Sequence, residues 1–288
     1  MLKALSLNFD NTFFPTPETP LAELIDTLSL EHLSENIRYS ASWKEMNLLE
    51  KLLLEHGAFG RPIYFMGNGD FHHLSYLTIK HFPRKKLHVV VFDNHPDNMI
   101  FPWGIHCGSW IYHAAQLSHV HTISVIGITS PDINWKNLWQ NNTAVLKSGK
   151  VRYYVFRPIT PLLKPYAIDI REKDFLIFLG ELVEKINLPI FFSLDKDVLN
   201  SNELKTGWDQ GVMSINTLTK VLDLIPFTSR LVGFDCVGDP SIFKFNGFWK
   251  KILRKIDGID NQLDASSAYE HVALNTFLLQ KILHIINI

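Results

Sequence analysis

The sequence predicts an α/β protein, a three-layer α/β/α sandwich built on a mainly parallel sheet. Two observations carry this. Short, continuous apolar runs, rather than strict alternation, mark strands buried on both faces, as in a parallel sheet. These runs alternate along the chain with amphipathic helical patterns, which packs helices on both sides of the sheet. A third observation concerns the strand ends: several runs stop at a glycine turn or an aspartate, where such folds bind their ligands.

Taken in order, Asn8-Phe9-Asp10-Asn11 reads as a first strand and turn, with no chemical role assigned to it. Ser42–His56 carries apolar residues at Trp43, Met46, Leu49, Leu52 and Leu53, one face of a helix. Ile63–Met66 is a short strand ending in Gly67-Asn68-Gly69. Leu87–Phe92 is a β-branched strand ending at Asp93, and Thr122–Ile128 and Val151–Phe156 are further strands. Pro158–Pro165 reads as a loop, followed by a helix over Glu172–Ile186. Pro189–Leu194 is a strand ending at Asp195. Ser214 can cap a helix over Ser214–Ile225. Arg230–Phe234 is a strand ending at Asp235, and Ser266–Ile286 is a long C-terminal helix. No repeat, low-complexity stretch or linker interrupts the pattern, so residues 1–288 are expected to form one domain.

Composition narrows the function. The chain is 46% hydrophobic and 20% charged, suited to a large core. A net charge of −1 speaks against nucleic acid or an anionic membrane as partner. The two cysteines, Cys107 and Cys236, form no CxxC pair, which speaks against a zinc ribbon or thioredoxin-like site and makes a reducing cytoplasm the expected compartment. The N-terminus has no signal-peptide pattern, and no stretch approaches the ~20 apolar residues of a membrane helix. Among 13 histidines, many cluster between Phe71 and His121.

Three segments carry the chemistry. Gly67-Asn68-Gly69-Asp70-Phe71-His72-His73 turns sharply after a strand and delivers an aspartate and a histidine pair, which can also be a polar surface or a helix start. Asp93-Asn94-His95-Pro96-Asp97 alternates Asp, His and Asp, pointing three side chains to one side of an extended backbone. Such a mixture suits Mn²⁺, Fe²⁺ or Zn²⁺, although an Asx-type turn bent by Pro96 gives the same letters. Ser193-Leu194-Asp195-Lys196-Asp197 places two carboxylates at a strand end, where Lys196 could serve as local counter-ion in a solvated loop. Together Asp93, Asp97, Asp195 and Asp197 bring four negative charges to one sheet edge, a charge that two divalent cations would balance.

As a set, these segments resemble the motifs of the arginase/agmatinase superfamily. GNGDFHH is similar to the family's GGDH, DNHPD to its DAHxD, and SLDKD to its SxDxD, in the family's order. The resemblance implies the three-layer arginase-like fold and two metal ions, usually manganese. One would be held by His72 or His73 with Asp93, Asp97 and Asp195; the extra residue in the first motif leaves that choice open, and His72 is preferred because it comes first after the turn. The other would be held by Asp93, His95, Asp195 and Asp197, with Asp93 and Asp195 bridging and a hydroxide between the ions. The stretch Gly104–Ser109 resembles the family's His-Gly segment, which makes His106 a candidate proton shuttle or substrate contact, apt because imidazole titrates near neutrality. A satisfied loop histidine is the plain alternative. Cys107 stands where the family has glycine, as a soft neighbour of the metals or a small buried residue. The resemblance also implies homo-oligomers, trimers or hexamers, and a small-molecule substrate.

The chain departs from the family further on. Where the guanidine hydrolases carry a glutamate that binds guanidinium, Phe234–Pro240 has Gly238, with Asp239 one place later as a substitute. That speaks against plain arginase activity, since a cationic amidine needs a carboxylate partner in a dry pocket. Trp208 and Asp209 can line a pocket or form a turn with a capping Asp. Asn98 lies one place off the family's substrate-contacting register. Phe13, Phe14, Trp103 and Trp110 read as packing. The expected function is a binuclear-metal hydrolase of a non-peptide C–N bond in a guanidino, amidino or amide compound, with Asp93, Asp195 and His106 catalytic. The alternatives are a deacetylase-type amide hydrolase and a metal-binding protein of the same fold without catalysis.

Overall fold

A computed structural model describes residues 3–13, 23–134, 137–159, 161–170, 175–224, 230–241, 250 and 265–286. Its strands are β1 (Ala4–Asn8), β2 (Ile25–Ser29), β3 (Ser40–Ala41), β4 (Ile63–Phe65), β5 (Leu87–Phe92), β6 (Ile105–His106), β7 (Val120–Ile128), β8 (Val151–Val155), β9 (Ala167–Asp169), β10 (Ile190–Asp195) and β11 (Leu231–Val237). The helices are α1 (Ser34–Ile37), α2 (Trp43–Glu55), α3 (Ser75–Lys80), α4 (Trp110–Ala115), α5 (Thr143–Lys147), α6 (Phe175–Lys185), α7 (Ile215–Leu224) and α8 (Ala265–Ile286). Nine strands form one sheet in the order β2-β1-β4-β11-β10-β5-β7-β8-β9. Every neighbouring pair in it is parallel. β3 and β6 make a separate antiparallel pair.

Alternating side chains of these strands feed two cores. Val89, Val91, Ile123 and Val125 pack with Met46 and Leu49 of α2, Leu77 of α3 and Trp110 of α4. Val90, Phe92, Ile126 and Tyr154 pack with Leu179 of α6, Leu218 of α7 and Leu278 of α8. The result is the three-layer sandwich that the sequence predicts, with strands apolar on both faces because both are covered.

The expected elements all occur among the described residues, with shifted ends. Ser42 caps α2: its side chain accepts from Glu45 N while the Glu45 carboxylate accepts from Ser42 N, a reciprocal capping box. β11 runs three residues past the expected Phe234, and so carries Asp235 inside the strand. Phe14, the segment Glu172 to Asp174 and Ile225 lie outside the described residues. β2 and β9 were not expected. Both are edge strands with half-exposed residues, so they lack the continuous apolar run of a central strand. Among the described residues, no helix is long and apolar enough to cross a membrane.

Because the main sheet is parallel, all its strands end on one edge. The three motifs leave from the carboxyl ends of β4, β5 and β10, which lie within one stretch of that edge.

Candidate metal centre

The first wall of the site follows β4. Gly67 sits at φ +78°, and a Cβ there would lie 2.5 Å from Asp10 Oδ1, so the turn requires glycine. Asn68 then starts a short 3₁₀ helix over Gly69–Leu74 by accepting from Asp70 N. That helix turns His72 into the site and His73 away from it. His72 Nδ1 lies 2.9 Å from Asp97 Oδ2, 3.2 Å from Asp93 Oδ2 and 3.5 Å from Asp195 Oδ2. Its Nε2 is fixed 3.1 Å from Ser193 Oγ. His73 is fully buried in another direction, with the Ile37 backbone beside its ring, and burial pushes its pKa well down. Of the two histidines, the structure brings His72 and not His73 to the carboxylates, because successive residues of a tight helix cannot face the same point.

The second wall follows β5. His95 Nδ1 lies 2.8 Å from Asp197 Oδ2 and 3.5 Å from Asp93 Oδ1, and its Nε2 lies 2.7 Å from Asp209 Oδ1. Asp97 adopts φ +44°, a left-handed conformation rare for a non-glycine residue. Trp110 Nε1 donates to Asp97 Oδ2 at 2.7 Å. Trp110, read from sequence as packing, thus also orients a carboxylate. The third wall is the end of β10. Asp195 Oδ1 accepts from Asp197 N at 3.0 Å, which leaves Oδ2 facing His72, and Asp197 Oδ1 accepts from Asn94 N at 3.0 Å. Lys196 turns the other way and is fully buried, so it is not the solvated counter-ion of a loop.

Two groups of side chains emerge that could each hold a metal ion. His72, Asp93 and Asp97 form one; Asp93, His95 and Asp197 form the other, and Asp93 belongs to both. The donor chemistry fits divalent ions of the Mn²⁺ class, which accept carboxylate and imidazole together. His72 Nδ1 and Asp93 Oδ2 are fully buried yet have no well-aligned hydrogen-bond partner, despite their short separation. With Asp97, they form a group whose candidate ligand atoms all lie within 4.8 Å of one another, close enough to share one cation.

The electrostatics agree. Burial and the neighbouring Asp93 charge raise Asp97 to about 7, and the same two causes raise Asp197 to about 7. Burial and Asp197 push Asp195 well above the usual carboxylate range. Burial opposes the charge of Asp93 too, but the His72 and His95 rings outweigh it and hold its carboxyl low. Both rings are correspondingly raised: burial would lower them, and the facing carboxylates more than offset it. Without metal, the cluster recruits protons in place of cations.

Around the cluster lies a cavity of about 370 Å³ lined also by His106, Cys107, Asp132, Asn141, Trp208 and Asp209. His106 is in place, but it does not titrate near neutrality. Burial, with the Lys250 charge, lowers it to about 3. Its Nδ1 accepts from Gly108 N at 2.9 Å, so the neutral ring carries its proton on Nε2. Cys107 is a buried thiol pushed well above its usual pKa by burial, not a thiolate. Trp208 stacks with Tyr39 and meets His95 edge-on, with ring centroids 6.1 and 5.7 Å apart, so Trp208 and Asp209 line the pocket as one of their two readings held.

Two substrate candidates are corrected. Asn98 is fully buried, donates to Tyr153 Oη at 2.9 Å and does not line the cavity. Asp239 is 1% exposed and bound to Lys196, His271 and Asn275, so its carboxylate is turned out of the pocket. Gly238 sits at φ +97°, where a Cβ would lie 2.8 Å from Asp195 Oδ1. A glutamate at this position would collide with the site. Asp132 was missed by sequence reading. It stands on a short 3₁₀ helix over Pro131–Ile133, far from any of the motifs, and no local signal marks it. Arg38 was missed as well: it is fully buried, 3.0 Å from both Asp10 and Asp70, and locks the Gly67 turn from behind.

No protein-family model matches the chain. A Thermotoga maritima protein described as uncharacterized is 30% identical over 216 residues, covering 75% of this chain and 71% of that protein. Among solved structures, the agmatine ureohydrolase of Thermoplasma volcanium superposes with a TM-score of 0.57 at 15% identity, over 99% of this chain and 89% of that one. The formimidoylglutamase of Bacillus subtilis superposes with a TM-score of 0.56 at 16% identity, over 97% and 86%. At such identities the superpositions speak for the fold. The chain belongs to one family with the Thermotoga maritima protein, and its fold is that of the arginase/agmatinase ureohydrolases.

Proposed function

We propose that the chain is a hydrolase dependent on two divalent metal ions, most readily Mn²⁺, acting on a non-peptide C–N bond of a small guanidino, amidino or amide compound. The observation that carries this reading is the pair of overlapping ligand groups that share Asp93. His72, Asp93 and Asp97 would hold one ion, and Asp93, His95 and Asp197 the other, with Asp195 completing the set. Ions of this kind supply a water activated at neutral pH and a Lewis acid for the substrate's polar atom. The names of the structural neighbours, agmatine ureohydrolase and formimidoylglutamase, support the same class.

The chain's own residues would do the rest. Asp132 and Asp209 put negative charge on the cavity wall, where a cationic amidine would be drawn in and hydrogen-bonded. Asp209 also orients the His95 ring through Nε2. The Trp208 indole meets the His95 ring edge-on and would offer an apolar surface on the cavity wall beside it. His106, neutral with its proton on Nε2, would donate a hydrogen bond to a substrate heteroatom. Arginine itself is the disfavoured substrate, because Gly238 admits no side chain and Asp239 is held by Lys196.

The test is turnover by Mn²⁺-loaded protein on a panel of guanidino, amidino and acylated-amine compounds, followed as urea, ammonia or amine. The expected result is turnover of at least one amidine or amide, abolished by Asp195→Asn. Turnover with a single bound ion would favour the deacetylase-type reading. No turnover by a fully loaded chain would leave a metal-binding protein without catalysis.

A further inference from the structure

The opposite edge of the sheet holds a second cavity of about 370 Å³, at the amino-terminal ends of β5, β7 and β8. Its lining includes Lys86, His88, His121, Arg152 and Lys185, and no Asp or Glu. Strand register explains the cluster. His88 pairs with Thr122, and Ser124 with Arg152, so these side chains share the sheet face of Val90, Phe92, Ile126 and Tyr154. That face is apolar under α6, and at the helix's last turn the apolar surface gives way to polar groups. At the floor, His88 Nε2 lies 3.0 Å from Ser124 Oγ; His88 is 7% exposed and Ser124 fully buried.

Positive charge here is unbalanced. Among the described residues, the ion pair that reaches this group is Lys185–Glu181, at 3.7 Å with both side chains exposed, a contact worth little in water. Burial, together with the charges of His121 and Arg152, lowers His88 to about 4. The cavity therefore offers several cationic and N–H or O–H donors and no acidic acceptor. A ligand that satisfies them carries concentrated negative charge on several acceptor oxygens. A concave site between a helix end and a sheet suits a small molecule rather than a polymer.

We propose that this cavity is a binding site for a small molecule bearing a phosphate or diphosphate group, separate from the metal centre. The probe is inorganic pyrophosphate, titrated calorimetrically into metal-free full-length protein at constant ionic strength, beside sulfate and beside the variants Arg152→Gln and Asp195→Asn. Arg152 is exposed, so its substitution leaves the fold intact, which circular dichroism checks. The expected result is saturable binding of pyrophosphate, tighter than sulfate, retained in Asp195→Asn and weakened about tenfold in Arg152→Gln. Binding that survives Arg152→Gln unchanged, is lost in Asp195→Asn, or is matched by sulfate would overturn the proposal, as would no binding at all.

Discussion

Two sets of buried aspartates are treated in opposite ways. Asp10 and Asp70 share the guanidinium of Arg38, and Asp239 is paired with Lys196. Asp93, Asp97, Asp195 and Asp197 face imidazoles and one another, and no lysine or arginine among the described residues pairs with them. The first set spends its charge inside the protein and holds the loops rigid. The second has no such cation among the described residues, and burial with mutual repulsion pushes Asp97, Asp195 and Asp197 toward their protonated forms. Lys196 makes the contrast sharpest: it sits between Asp195 and Asp197 in sequence, yet it turns away from both to reach Asp239.

The largest expected effect comes from the rigid set. Arg38→Met leaves Asp10 and Asp70 buried without their cation and should destabilise the chain by about 3–5 kcal/mol. Denaturant unfolding measures it, and a loss below about 1 kcal/mol would mean that the two aspartates are not held as described.

Next comes a matched pair. Asp239→Asn should cost about 3 kcal/mol, since it strands the buried Lys196. Asp195→Asn should leave the metal-free chain as stable or more stable by about 1 kcal/mol, because the amide reproduces the neutral form toward which burial and Asp197 already push this carboxyl. Equal destabilisation by both substitutions would erase the distinction between the two sets.

Acidity sharpens the comparison in a third way. Asp97 and Asp197 are raised to about 7 from the ordinary 3.8, so the folded metal-free chain holds their protons more tightly than the unfolded chain. Their stabilising contribution is complete below the ordinary value and is lost as pH rises through about 7. The raised rings of His72 and His95 act with the same sign. Metal-free protein should therefore melt at lower temperature at about pH 8 than at about pH 6, and saturating Mn²⁺ should reverse that order because deprotonated ligands bind it better. Parallel thermal scans with and without metal decide it.

Much of the candidate site was legible in the sequence, because strand-end motifs are local. Asp93, His95 and Asp97 lie in five consecutive residues after an unmistakable apolar run, and Asp195 and Asp197 follow another. The fold was legible for the same reason: central strands of a parallel sheet are apolar throughout. What could not be read was long-range or conformational. Arg38 meets Asp70 across 32 positions and Lys196 meets Asp239 across 43, and no spacing rule connects them. The choice of His72 over His73 depends on the rotation of one short helix. Asp239 looked available because its partners on Lys196, His271 and Asn275 come from two other elements. His106 looked like a near-neutral acid–base group because burial is invisible in the letters around it.

The smallest expected effect lies at the rim. Asp209, with its side chain 58% exposed, holds His95 from the solvent side. Asp209→Asn should weaken metal binding at the His95 group by about tenfold while leaving the fold unchanged. A competition titration with a chromophoric chelator reads this, and an unchanged affinity would show that His95 needs no such support.

The central claim is that the set facing imidazoles, with no lysine or arginine partner among the described residues, holds two divalent ions. Elemental mass spectrometry on chelator-stripped, Mn²⁺-reloaded protein tests it most directly, with Asp195→Asn alongside. The account predicts about two ions per chain in the native sequence and a loss of metal in the variant. No retained metal under any loading condition, or full retention in Asp195→Asn, would contradict it.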